Sequence, residues 1–136
     1  MLRFLAHFLF LLAAWTVVIK YLFPMAYAWA EGVPIGTYVF LDFWPVVHIW
    51  VGWSLLHWQR YSYALALSVS VAEIVIVVTK LVLFLQAPAW TIWRTNWFIN
   101  KIFVLACFAL LLGYLLVNAR QLRARPAHPV RAAASA

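Results

Sequence analysis

Residues 63–86 read YALALSVSVAEIVIVVTKLVLFLQ, from Tyr63 to Gln86, and this stretch decides the fold. Fourteen of its positions are Leu, Ile, Val or Phe, and it contains neither Gly nor Pro. A run of that length and composition suits a helix crossing a hydrocarbon layer, which takes about 20 residues. Buried strands do not run so far, and an outer-membrane barrel would require alternating polar positions. Only a helix satisfies every backbone group within such a segment. Yet the stretch holds two charges, Glu73 and Lys80. Its apolar residues contribute roughly −6 kcal/mol to insertion, while a buried Glu and Lys cost roughly +5 to +7 kcal/mol. The segment therefore inserts near break-even, and its two charges must face protein or water rather than lipid.

The rest of the chain fits the same environment. Hydrophobic residues make up 68% of the 136 and charged residues 10%, against about 45–50% and 25% in soluble proteins. So few charges cannot coat a water-facing globule. The spacing predicts an all-α integral membrane bundle of four transmembrane helices, at about 4–23, 43–58, 63–86 and 93–118, followed by a tail at 119–136. Pro24 is expected to end the first helix. Asp42 is placed to accept the free N–H groups that open the second, with Pro45 at its third position. Gln59–Ser62 and Ala87–Ala89 are the short breaks that follow. The basic tail has no periodicity and is expected to be disordered.

The opening residues resemble a secretory signal. Arg3, the apolar run Phe4–Ile19 and the small residues Ala26, Ala28 and Ala30 follow that pattern. Lys20 and Pro24 leave the run short, so a retained helix is expected.

Four of the ten basic residues, Arg120, Arg123, Arg125 and Arg131, lie in the tail. With Arg3 and Arg60 they place both termini on the cytoplasmic side of an inner membrane, N-in and C-in. Trp29, Trp44, Trp90, Trp93 and Trp97 then collect at the outer ends of the segments, as an interfacial belt does. No basic stripe alternates with aromatics as nucleic-acid binding would require, and the tail charges suit anionic lipid instead. Cys107 stands alone, so the chain cannot form a disulfide within itself. No catalytic triad, phosphate-binding glycine loop or zinc motif is present, and nothing in the sequence points to an enzyme.

What remains is a set of costly polar residues in the outer half of the bilayer: Lys20, Lys80, Arg94 and Lys101, with His48 and Glu73 deeper. Glu73 and Lys80 stand seven residues apart, about 10 Å along the axis and too far for a direct bridge. Arg94 and Lys101 repeat that spacing, with Asn96 and Asn100 beside them. Lys80 and Lys101 fall at similar depth, where they repel unless an anion lies between them.

One reading is an outward-facing pocket formed by His48, Glu73, Lys80, Arg94, Asn100 and Lys101. It would bind or move a small anionic or lipid-linked substrate, with Glu73 and His48 as a proton site at its floor. Another treats these groups as ion pairs and amide bonds joining the helices, Lys20 and Arg94 reaching up to the interface. In that case the protein is an accessory subunit of a larger membrane complex, or a homo-oligomer, because so small a bundle has little interior. A third reading is a b-type haem held by His7 and His57, which share a depth, or by His48 in its His48–Gly52 turn. No metal site is expected.

Overall fold

The computed structural model describes residues 1–39 and 41–126, and every regular element in them is helical. Helix α1, Leu2–Val17, buries Leu2, Leu5, Ala6, Leu9, Leu12 and Ala13, a stripe with three- and four-residue spacing. That spacing keeps one face of the helix on its neighbours. Thr16 shares the stripe and satisfies its hydroxyl on the Leu12 carbonyl at 2.7 Å.

Pro24 does not end the first segment. The chain passes through a π-helical turn at Val18–Leu22 and continues as α2, Phe23–Ala30. Proline has no N–H to give the carbonyl four residues back, and its ring crowds that carbonyl. The wider turn removes the conflict, because the Phe23 N–H reaches the Val18 carbonyl instead. The extra residue also offsets the faces before and after the turn by about 100°. Lys20 lies in that turn. The combined helix Leu2–Ala30 has 29 residues, about 43 Å, so it outruns a hydrocarbon layer of about 30 Å.

Gly32, with φ of +69°, then reverses the chain, and a 3₁₀ turn at Ile35–Tyr38 folds back on α2. The Tyr38 hydroxyl donates to Glu31 Oε2 at 2.6 Å. Hydrogen bonds from Tyr38 and then Tyr27 hold the Glu31 carboxyl below its usual range. A lowered folded pKa adds stability that is complete above the unfolded value and lost as pH falls through the folded one. Tyr38→Phe is expected to raise the Glu31 pKa, followed by carboxyl-carbon NMR. An unmoved titration would assign the effect to something other than this hydroxyl.

Helix α3, Trp44–His57, has 14 residues, about 21 Å. It is shorter than the segment expected at 43–58 and too short to cross a hydrocarbon layer by its helical residues alone. The N-cap is Phe43 and not Asp42 as expected; Asp42 stands one residue earlier, its Oδ1 accepting the Trp44 N–H at 2.9 Å. The helix starts beside Tyr21, whose hydroxyl lies 3.0 Å from both the Asp42 N and its carbonyl oxygen, and runs back along α1. Gly52 makes that approach possible: a Cβ there would lie 3.0 Å from the Ala6 carbonyl oxygen and 3.1 Å from the Phe10 ring. Gly52→Val is expected to force the two helices apart at a cost of about 1–3 kcal/mol. Thermal unfolding in detergent measures it, and an unchanged midpoint would mean the contact is loose.

At the end of α3, Trp58 adopts a left-handed conformation with φ of 42°, unusual for a bulky residue. Its buried indole holds it there, with the Nε1–H donating to the Arg125 carbonyl at 3.3 Å and the Arg125 guanidinium 5.3 Å from the ring. Ser62 closes the turn that follows by donating to the Ser54 carbonyl at 2.7 Å while accepting the Gln59 N–H at 2.8 Å.

Helix α4, Ser62–Gln86, buries Ser62, Ala66, Ser70, Glu73, Val77, Leu81 and Phe84, again at three- and four-residue steps. It packs on α3 and on α5, Ile92–Val117. The buried stripe of α5 runs from Asn100 and Lys101 through Val104, Phe108 and Leu111 to Leu115. A short helix α6, Ala119–Ala124, follows and buries Leu122, so the start of the tail is ordered. The expected disorder at 127–136 lies outside the described residues. Three helices are long and apolar enough to cross a membrane: Leu2–Ala30, Ser62–Gln86 and Arg94–Val117.

Candidate functional site

Four cationic side chains from three parts of the chain meet around one cavity of about 680 Å³. Lys20 comes from the π turn, Lys80 from the upper part of α4, and Arg94 and Lys101 from the first turns of α5. The only carboxylate on the wall among the described residues is Asp42, and it is in direct ion-pair contact with Lys20. The Lys20 charge is thus met across 22 residues of sequence by the group that also accepts the Trp44 N–H.

Asn96 and Asn100 add amides to the wall, and Ile19, Leu41, Leu83, Phe84 and Trp97 supply apolar surface. The aromatic side is held rigid. Phe84 packs edge-on against Trp90 at 4.9 Å between centroids and against Trp97 at 5.5 Å, and Phe98 meets Trp90 at 5.2 Å. This cluster joins the end of α4 to the start of α5. Thr91 caps α5 by accepting the Arg94 N–H at 3.2 Å, which fixes the turn that carries Arg94 and Asn96.

Of the six pocket residues expected from the sequence, Lys80, Arg94, Asn100 and Lys101 line the cavity. His48 and Glu73 do not. Both are enclosed, at 1% and 3% exposed. His48 lies against Phe108, with ring centroids 5.2 Å apart, and against Trp44 at 6.0 Å. It sits on the buried stripe of α3 with Val51, Gly52 and Leu55, and the deviation from expectation is a matter of azimuth. Sequence spacing gives depth, but the direction His48 faces was set by how α3 turns to bring Gly52 onto α1.

Neither ring nitrogen of His48 has a hydrogen-bond partner among the described residues, nor do Glu73 Oε2 and Asn100 Oδ1. A buried polar atom without a partner costs about 1–3 kcal/mol. His48→Leu is therefore expected to raise stability by about that amount, measured by thermal unfolding in detergent. A fall in stability would show that the imidazole is bonded in the folded protein.

Lys101, 4% exposed, lies between the two levels of the site. It reaches the cavity wall, and among neighbouring cations it acts most strongly on Glu73. Lys20 and Lys80 act on Glu73 more weakly, and Lys80 repels Lys101 more strongly than Glu73 attracts it. Lys101 makes no direct ion pair among the described residues.

His7 and His57 are exposed, each with its Nδ1 on a carbonyl of its own helix, Arg3 at 2.6 Å and Trp53 at 3.0 Å. The glycine of the His48–Gly52 turn is filled by Ala6 and Phe10, so it offers no approach for a macrocycle. Lys20, Asp42, Tyr38 and Leu41 are cavity residues that spacing did not assign. The one signal available for the first two was that each is a charge without a nearby partner in sequence.

No family model matches the chain, and no curated protein or solved structure matches it.

Proposed function

We propose that this chain crosses the inner membrane four times, with both termini in the cytoplasm, and binds or moves a small anionic or lipid-linked substrate through the cationic cavity. One observation carries the reading: among the described residues, four cations and a single carboxylate line the same cavity. Cations brought together within apolar helices repel each other and lose hydration, so an arrangement of this kind needs a compensating anion. Binding that anion is the function that accounts for it.

Four crossings are supported by the path of α3. It starts beside Tyr21 and passes Ala6 and Phe10, so its flanking residues complete the distance its helix does not cover. The Trp58–Arg125 contact brings the end of α3 to the C-terminal helix, in keeping with termini on one side. Arg123 over Tyr63 at 5.0 Å adds a second basic group there.

The topology is tested with single cysteines at Glu31 and Arg60 in a Cys107→Ser background. An impermeant thiol reagent applied to intact cells should label position 31 and not position 60, and the reverse pattern would overturn the orientation. For binding, the purified protein is extracted with organic solvent and the extract examined by mass spectrometry. A stoichiometric anionic compound is expected.

A second reading, a non-catalytic accessory subunit or a homo-oligomer, is favoured by α4. Its apolar window is 22% buried, against 44% and 39% for the other two long helices. Copurification with fixed partner chains and no anionic compound would favour it over the first.

A further inference from the structure

We propose that the cavity selects an amphiphile with a phosphomonoester head, a doubly charged phosphate on an apolar chain. The inference rests on the cationic-cavity reading above and narrows it to one class of ligand.

The charge balance of the wall leads there. Lys20 is neutralised by Asp42. Lys101 is buried, makes no ion pair among the described residues, and is repelled by Lys80 more strongly than Glu73 attracts it. Lys80 and Arg94 complete the cationic wall. Both are exposed on the wall, and neither makes an ion pair among the described residues. With Lys101 behind them, more than one positive charge is left without an ion-pair partner, which suits a phosphomonoester carrying about −1.5 to −2 at pH 7. A phosphodiester carries one negative charge and leaves one cation unmet. Arg94 supplies the planar donor fork that fits two phosphate oxygens at once, and Lys80 a point charge in the same cavity. Asn96 and Asn100 bring amide groups to the same wall.

Size and polarity argue for an attached chain. The cavity, at about 680 Å³, lies within the range for drug-sized ligands, about 300–1,000 Å³, and is far larger than an inorganic anion fills. Leu83, Phe84 and Trp97 form its apolar side, and Leu83 is 60% exposed on the outside of the bundle. A chain leaving over Leu83 passes into the surrounding apolar layer while its head stays with Lys80 and Arg94.

The test uses the full chain in a neutral detergent and follows tryptophan fluorescence, because Trp97 is part of the wall. Dihexanoyl phosphatidic acid, dihexanoyl phosphatidylglycerol and inorganic phosphate are titrated at pH 7.5. Phosphatidic acid should bind at least about tenfold tighter than phosphatidylglycerol, a difference of about 1.4 kcal/mol. The preference should shrink below about pH 6, where the monoester head takes up its second proton. It should also disappear in Lys80→Gln and in Arg94→Gln, whose exposed positions leave the packing intact.

Equal affinity for the two lipids would overturn the phosphomonoester assignment while leaving an anion site in place. Inorganic phosphate binding as tightly as phosphatidic acid would overturn the attached chain and point to a free phosphate. If no anion binds, or the variants bind as the wild type does, the cationic-cavity reading itself fails.

Discussion

A double-mutant cycle of Lys101→Met and Glu73→Gln should show a coupling of about 0.5–3 kcal/mol between the two buried groups. Both groups are almost fully enclosed, on facing helices α4 and α5. Lys101 is the cation with the largest effect on Glu73, and no direct bridge joins them. Their attraction is exerted in surroundings where water does little to weaken it. Glu73→Gln replaces the carboxylate with a neutral amide of nearly the same shape. The double-mutant cycle reads the coupling directly. Reversible unfolding in mixed detergent micelles supplies the four stabilities. Additive single effects would mean that Lys101 and Glu73 are held by other groups.

The second large effect falls on binding and leaves stability alone. Arg94→Gln and Lys80→Gln are each expected to weaken binding of an anionic amphiphile by about 10- to 100-fold, the equivalent of one charge-assisted hydrogen bond of about 1.5–3 kcal/mol. Their side chains are exposed on the cavity wall, so unfolding should shift by no more than about 0.5 kcal/mol. Arg94→Lys separates charge from geometry: it keeps the charge and loses the fork, and an intermediate loss is expected. Added salt should weaken wild-type binding and have less effect on the two Gln variants, because screening acts on the charges they have lost. Isothermal titration in detergent with the anionic ligand follows all of this. Loss of binding together with a lowered unfolding midpoint would make the two residues structural.

Much of the candidate site was legible in the sequence because charge in an apolar helix is costly and therefore conspicuous. Lys80, Arg94 and Lys101 stood out for that reason, Asn100 as a polar amide beside them, and all four reach the cavity. Their depths followed from the rise per residue, which is a local property of any helix. Glu73 and His48 were conspicuous on the same ground but face elsewhere, since depth says nothing about azimuth. Lys20 was visible as a misplaced cation, yet its partner Asp42 lies across a loop that no periodicity describes. Pro24 misled because its usual effect is to end a helix, and the π turn that absorbs it leaves no mark in the residue pattern.

The sequence by itself determined that the chain is helical and apolar enough to cross a membrane; it led to an expectation of four spanning helices, and three have the required length and apolarity. Helical and apolar character depends on composition and on satisfying backbone groups segment by segment, which each stretch settles alone. Which face of each long helix is buried was not legible, because large apolar residues stand on the exposed faces as well. Only the tertiary structure decided how those faces meet. Gly52 sets the approach of α3 to α1, the turn at Val18–Leu22 rotates Lys20 toward Asp42, and Phe84 and Trp97 fix α5 against α4. Rotation of one helix about another is a collective result of packing between residues far apart in the chain, and no single segment contains it.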